Sequence, residues 1–561
     1  MYTHYRIFDL MDKIKISTLL FSILVFTALN CSAQLLVPKN EFTRADTLRG
    51  ALTPLRTCYD INYYHLDVKF NIDKKYISGS NLFKFTATDN FTQLQFDLFD
   101  NLKVERVVYK EKDLPFKREF NAVFVTFPKT ITKGSKDEFT VYYSGNPIVA
   151  KQAPWDGGVV YTTDAAGRSF VATACQGIGA SIWWPNKDHQ SDEVDSMLIS
   201  ISVPKGLKDV SNGRLRKVTE LNDGYTRFDW FVDNPINNYD VAANIANYAH
   251  ITDSYTGEKG KLSIDYWVLQ ENVEKAKKQF GENVKPMLRS FEHWFGPYPF
   301  YEDGYKLVET PFLGMEHQSA VAYGNKYTNG YLGTDRSNTG WGLKWDYIVI
   351  HESGHEWFGN NITAKDAADQ WIHESFTTYS EALYIESQYG KQSAQEYING
   401  LRREIKNREP IVGIYGVNKE GSPDMYNKGA VILNMVRTII NNDAKWLQIM
   451  RGLNKTFYHQ TVTYNQIVNY ISEQAGINLL PVFDQYLRYP AMPKLEFATI
   501  NKQLNCRWVA NADGFNMPIK IRVKGGDYQF VKATTAFSPV GISGATKDNV
   551  EIDTFNYYIR L

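Results

Sequence analysis

Residues 348–358 read Ile348-Val349-Ile350-His351-Glu352-Ser353-Gly354-His355-Glu356-Trp357-Phe358, and they decide how the middle of this chain folds. An apolar run entering His-Glu-x-x-His predicts a buried helix. On a helix, residues four apart share one face, so His351 and His355 reach a single ion while Glu352 lies beside it. A catalytic zinc site of this type needs a third, carboxylate ligand and keeps one position open for water. Glu374, within Trp371-Ile372-His373-Glu374-Ser375-Phe376, supplies the carboxylate if a turn and loop bring a second helix alongside the first. The competing reading makes these three ordinary core residues satisfied by their neighbours. Gly354 argues against it: a mid-helix glycine costs about 1 kcal/mol relative to alanine, and a small residue beside the ligands lets the second helix approach. One zinc ion so held would lower the pKa of its water from about 15.7 to about 7. Glu352 then takes the remaining proton and passes it to a leaving amine, which implies amide hydrolysis.

Outward from this motif, helical spacing runs through residues 273–295, 347–358, 371–389 and 426–486, predicting a mainly α catalytic domain over 246–492. Upstream the pattern changes to period two, as in His65-Leu66-Asp67-Val68-Lys69-Phe70-Asn71-Ile72, the mark of half-buried antiparallel strands in an N-terminal β domain spanning 34–245. After Pro493 short strands return, such as Ile519-Lys520-Ile521-Arg522-Val523, with Gly525-Gly526 as a turn; a small β-sandwich-like module over 493–561 is expected. The fold class is therefore multidomain α+β, in keeping with a chain of 561 residues. One irregular stretch stands out, residues 325–340, rich in Gly, Asn and Thr and placed just ahead of the metal motif.

Lys plus Arg and Asp plus Glu both number 62, so no net charge draws the chain to nucleic acid or an anionic membrane. At the start, Lys13 and Lys15 precede the apolar residues 16–29, and Cys31, Ser32 and Ala33 come before Gln34. This reads as a signal peptide, residues 1–33, with export to the periplasm or the extracellular space. The apolar run is shorter than the roughly 20 residues that span a bilayer, so no transmembrane span is expected in the mature protein. Met11 is an alternative start, and lipidation of Cys31 an alternative to simple release. After cleavage Cys58, Cys175 and Cys506 remain, an odd number that leaves at least one free thiol.

Further segments resemble peptidase family M1, the aminopeptidase N type of gluzincin. Gly314, Met315 and Glu316 match part of the family's Gly-x-Met-Glu-Asn motif, with Leu313 and His317 at the two departures. Trp294-Phe295-Gly296-Pro297-Tyr298-Pro299 and Trp357-Phe358-Gly359-Asn360 also match. So does Asp424-Met425-Tyr426-Asn427-Lys428-Gly429-Ala430, and so does Thr173-Ala174-Cys175-Gln176-Gly177 ahead of Trp183-Trp184-Pro185. The resemblance implies a thermolysin-like catalytic domain with His351, His355 and Glu374 on zinc and Glu352 as general base and acid. It implies that Tyr426 donates to the oxyanion, and that Glu316, with Gly314, Met315 and Gln176, binds the free α-ammonium of a peptide. Asp369 and Trp371 match an Asp-x-Trp pair, making Asp369 an expected outer partner of the metal site. The large helical C-terminal domain common in the family is expected to be missing, leaving a more open cleft.

Two alternatives remain at this stage. A zinc endopeptidase would use the same metal site, and a non-enzymatic peptide-binding surface protein would keep the fold without the chemistry.

Overall fold

The period-two stretches build three sheets in the first half of the computed structural model, which describes residues 41–561; the predicted signal segment, with Cys31, lies outside them. The largest has eight strands. At its centre Tyr59–Asn71 pairs antiparallel with Tyr76–Ala87 and parallel with Ser196–Pro204. That one parallel pair departs from the all-antiparallel expectation, and the long connection between its strands is what permits it. Alternate residues Tyr64, Leu66, Val68 and Phe70 are buried, facing Phe83, Phe96, Trp183 and Trp184 across the first core. A four-stranded sheet orders Lys208–Val210, Asn244–Ala246, Ser169–Ala174 and Gly158–Thr163, and its third strand delivers Gln176 to the edge of the site.

Residues 248–323 form a five-stranded sheet in the order Tyr248–Gly257, Gly260–Leu269, Tyr305–Glu309, Val321–Tyr323 and Gly314–Met315. Helix Val273–Phe295 links the second and third of these strands, which run parallel. The short strand Gly314–Met315 is the sheet edge, antiparallel to Val321–Tyr323.

Helix Tyr347–Gly354 is buried at every residue, as an all-apolar approach to the motif requires. Asp346 caps it, accepting from the amides of Ile348 (3.1 Å) and Val349 (3.3 Å). The helix ends sooner than its sequence pattern suggests. Glu356–Asn360 is a π-type turn in which Phe358 and Gly359 leave helical geometry, Gly359 at φ 134°, a region that favours glycine. Helix Trp371–Tyr389 then returns beside it. A Cβ on Gly354 would lie 2.6 Å from Ser380 Oγ, so the close approach inferred for this glycine is real. Gly429, on helix Asp424–Ile440, leaves only 1.9 Å to Ser375 Oγ and brings the third helix equally close.

The helical stretch 426–486 resolves into four helices, Asp424–Ile440, Asp443–Thr456, Tyr464–Ala475 and Leu480–Arg488, with strand Gln460–Val462 between the second and third. Asn441 stops the first of them and Gly476 the third in the left-handed region, and a Thr463–Gln466 capping box starts that same third helix.

Beyond residue 493 two three-stranded sheets form, Lys494–Ile500 with Gln503–Val509 and Ser538–Pro539, and Gln529–Val531 with Ile519–Val523 and Val550–Ile552. Their apolar residues, including Trp508, Phe515 and Ile521, continue the core of the catalytic helices and do not enclose a separate one. Residues 47–561 form one compact unit, and among the described residues no helix is long and apolar enough to cross a membrane.

Candidate metal centre

The paired helices bring His351, His355 and Glu374 together as the spacing predicts. Their ligand atoms lie within 4.8 Å of one another and all three residues are buried. Glu374 Oε2 stands 3.4 Å from His355 Nε2 and 3.7 Å from His351 Nε2, and it has no hydrogen-bond partner of its own. Ligands about 2.0–2.1 Å from a tetrahedral zinc stand about 3.4 Å apart, so an orphaned buried oxygen at these distances fits the ion. The electrostatics agree. Burial alone would raise the Glu374 pKa, yet the two imidazoles outweigh it and hold the carboxyl well below its usual range. Burial likewise opposes charge on His351, but the nearby carboxylate of Glu374 and the hydrogen-bonded carboxylate of Glu381 raise it to about 10. The site favours positive charge, as a dication needs.

The other nitrogen of each imidazole is held in place. His351 Nδ1 donates to Glu381 Oε1 at 2.7 Å, and Tyr397 donates to the second oxygen of Glu381 at 2.5 Å. His355 Nδ1 lies 3.0 Å from the Phe358 carbonyl, which the π-type turn folds back onto it, and 3.1 Å from Thr377 Oγ1. Both arrangements leave Nε2 free to face an ion. Glu381 and Thr377 escaped the sequence reading. Glu381 follows Glu374 by two helical turns on one face, which is the signal that would have found it. Replacing Glu381 by Gln is expected to keep the fold and weaken zinc about 10- to 100-fold, measured by competition with a chelating dye; unchanged affinity would show that His351 is oriented without it.

Asp369 does not join this outer ring. Its carboxylate accepts from the Tyr415 hydroxyl at 2.7 Å and the Tyr464 amide at 3.0 Å, fastening the loop before the helix to a later helix start. His373 is a structural residue, its Nε2 accepting from the Ala364 amide at 2.8 Å, and burial pushes it down to about 3. His317, at the departure from the family motif, is fully buried with both ring nitrogens unpartnered and is neutral for the same reason.

Glu352 lies over the edge strand: a Cβ on Gly314 would come within 2.9 Å of Glu352 Oε1 and 2.8 Å of Ile348. Gly314 is thus what lets the edge strand approach the helix. Burial is the largest influence on Glu352 and, with Glu316 and Glu374 nearby and the imidazoles opposing, sets its pKa at about 7. Met315 packs with Phe312, Ala172, Ala174 and Ala322 in a small apolar cluster beside the site. Glu316 Oε1 accepts from Gln176 Nε2 at 2.5 Å, and the same amide nitrogen lies 3.2 Å from Glu374 Oε1. Asn360, the last residue of the π-type turn, donates to the Glu316 carbonyl at 2.8 Å. Among the described residues Glu316, Glu352 and His355 form the second cluster of metal-ligating type, sharing His355 with the first. The Tyr426 ring lies 6.1 Å from that of His351 at 25°, and no protein group among the described residues binds its hydroxyl. Cys58, Cys175 and Cys506 are buried free thiols, and burial pushes the Cys175 thiol far up. Cys175 takes no part in the site.

Residues 281–486 match the peptidase family M1 domain and residues 60–239 the peptidase M1 N-terminal domain. A probable aminopeptidase 1 of Saccharolobus solfataricus is 23% identical over 60% of this chain and 43% of its own length. Aminopeptidase B of Rattus norvegicus is 22% identical over 68% of this chain and 58% of its own. The chain thus spans about half the length of these relatives. An M1 zinc metallopeptidase mutant from Deinococcus radiodurans, solved with a Tyr-Ser-Ala substrate, shares the fold at TM-score 0.65 and 19% identity, over 79% of this chain and 98% of that one. A two-domain M1 zinc metallopeptidase mutant bound to L-tryptophan superimposes with TM-score 0.64, at 20% identity over 77% and 95%.

Proposed function

Because the chain belongs to peptidase family M1, we propose that it is a zinc aminopeptidase that releases the first residue of peptides with a free N-terminus. The observation that carries this reading is the Gln176 bridge. One amide nitrogen joins Glu316, the carboxylate proposed to take the α-ammonium, to Glu374, a proposed ligand of the metal. A peptide whose amine pairs with Glu316 would therefore present its first carbonyl to the ion. The aminopeptidase relatives and the neighbour holding a Tyr-Ser-Ala substrate support the same reading.

His351, His355 and Glu374 would hold zinc, which would supply a Lewis acid and lower the pKa of the attacking water. Glu352 takes the water's proton and returns it to the leaving amine. The Tyr426 hydroxyl, free of protein partners, donates to the oxygen that gains charge as the carbonyl is attacked. Glu316 and Gln176 fix the amine, converting encounter into a positioned reaction. Export, read from residues 1–33, belongs to the same proposal and rests on the sequence.

A metal assay with a panel of aminoacyl arylamides tests ion, reaction and side-chain preference together. Rates on one peptide in free and N-acetylated form separate this reading from an endopeptidase: the acetylated peptide should be cut far more slowly, and equal rates would favour the endopeptidase.

A further inference from the structure

The loop that carries Gln176 is held from outside by a side chain that the proposed mechanism does not use. Gly177 and Gly179 follow Gln176 in the left-handed region, at φ 72° and 93°, and a Cβ on Gly177 would meet nothing within 4 Å. Packing at Gly177 therefore fixes nothing, and hydrogen bonds must set the peptide planes beside Gln176. Within the loop the Ile178 amide donates to the Gln176 carbonyl and the Gly179 amide to the Cys175 carbonyl, each at 2.8 Å. The next two carbonyls turn outward, and Arg49 takes both. Its Nη2 donates to the Gly177 carbonyl at 2.7 Å and to the Ile178 carbonyl as well. Asn418 Nδ2 adds a third bond, to the Gly177 carbonyl at 3.3 Å.

Arg49 is presented from a fixed support. Its neighbour Leu48 is buried, and the Leu48 carbonyl accepts from Arg56 Nη2 and Gln95 Nε2, each at 2.9 Å. Arg56 in turn pairs with Asp97 at 2.7 Å in the interior. On the other side the Gly50 carbonyl accepts from His189 Nε2 at 3.2 Å. A Cβ on Gly50 would lie 2.1 Å from the Asn418 backbone nitrogen, so residues 48–50 press directly on the loop that carries Asn418. That loop, residues 413–419, is fastened to the segment ahead of the Glu374 helix. The Gly413 amide donates to the Ala368 carbonyl at 2.8 Å, the Gly416 amide to Asp366 at 3.0 Å and the Tyr415 hydroxyl to Asp369 at 2.7 Å. A continuous brace thus runs from the start of the helix bearing Glu374 to the carbonyl next to Gln176, and Arg49 closes it from the β domain.

We propose that Arg49 is a positioning residue of the amine site, acting through Gln176, an inference that rests on the aminopeptidase reading. Gln176 has one nitrogen for two carboxylates, 2.5 Å from Glu316 and 3.2 Å from Glu374. A displacement of about 1 Å takes one of these contacts out of hydrogen-bond range, and misplacement on that scale can cost about 10²-fold in rate. The charge on the guanidinium strengthens its bonds to the two carbonyls, and those carbonyls belong to the two residues that directly follow Gln176. Arg49 touches neither substrate nor metal; it sets where the bridging amide stands.

The test is a double-mutant cycle on kcat/KM for Leu-Gly-Gly and its N-acetylated form, run on wild type, Arg49→Met, Gln176→Ala and the double variant. The wild-type preference for the free amine tests the aminopeptidase reading alone. Arg49→Met is expected to lower kcat/KM on Leu-Gly-Gly about tenfold or more, with zinc content and the slow cleavage of the acetylated peptide unchanged. Gln176→Ala should lower it at least as far, and adding Arg49→Met should then cost little more, because no amide is left to place. Arg49→Lys keeps a charged nitrogen with several N–H groups and should recover part of the loss. A brace that serves only the fold gives another pattern: Arg49→Met would slow both peptides alike, or its loss would multiply with that of Gln176→Ala. Either pattern, or a wild-type rate in Arg49→Met, would overturn the proposal while leaving the wild-type preference standing. If Arg49→Met does not fold, Arg49→Lys takes its place in the cycle, and there an unchanged rate on Leu-Gly-Gly or full additivity counts against the proposal.

Discussion

Replacing Glu352 by Gln should leave zinc bound one per chain and lower kcat on an aminoacyl arylamide by about 10²- to 10⁴-fold. The substitution keeps shape and most packing, which matters because Glu352 is buried against the Gly314 strand. It removes only the capacity to accept and return a proton. Zinc should stay because the ligand atoms belong to His351, His355 and Glu374, and both histidines keep their orienting partners. KM should change little, since the residues proposed to hold the amine, Glu316 and Gln176, are untouched. Metal content by mass spectrometry and steady-state kinetics on the same preparation make the check. A variant within tenfold of wild type would mean that another group moves the proton, and a variant without zinc would mean that the loss says nothing about Glu352.

How much of this was legible in the sequence follows from the range of the interactions involved. The zinc triad was legible because helical geometry alone puts His351 and His355 on one face, and only the return of one further helix had to be supposed. Helices 273–295 and 371–389 were legible from apolar spacing, and the structure ends them at the same residues. The helical character of 426–486 was legible too, but not where its four helices divide, because they bury residues into one shared core and the apolar spacing runs on across the breaks. Asp369 was assigned outward from a pattern, but its partners Tyr415 and Tyr464 come from distant loops that no spacing rule reveals. Gln176 came from resemblance alone: the bond to Glu316 spans 140 residues.

The helix break after His355 had a local cause that was also readable in part. A continuous helix would carry the Phe358 carbonyl away along the axis. Instead Gly359 adopts a positive φ, the chain reverses, and the carbonyl meets His355 Nδ1 at 3.0 Å. The same reversal sends Asn360 to the Glu316 backbone at 2.8 Å. Two proposed functions, holding the metal and holding the amine, thus hang on one turn, which accounts for the Trp-Phe-Gly-Asn segment following the motif so closely.

Glu316→Gln carries the other large expected effect. The carboxylate is buried beside Glu374, and burial together with that like charge raises its pKa while His355 opposes them. A substrate ammonium arriving here would meet an anion with little solvent around it and the Gln176 amide on its side chain. Removing one partner of a buried, hydrogen-bonded charge pair costs about 2–5 kcal/mol, or roughly 30- to 5,000-fold in kcat/KM. The neutral amide keeps the volume and, with its oxygen turned to Gln176 Nε2, keeps that hydrogen bond as well, so the loss should report the missing charge. Zinc should remain, because Glu316 is not in the triad. The cleavage of an N-acetylated peptide, slow in the wild type, should hardly change, so the ratio of free to acetylated rates should collapse towards one. Kinetics on the free and acetylated pair in both proteins decide the matter. If Glu316→Gln kept its preference for the free amine, the amine would have to be held elsewhere, and the link from Gln176 to the metal ligand would lose its functional meaning.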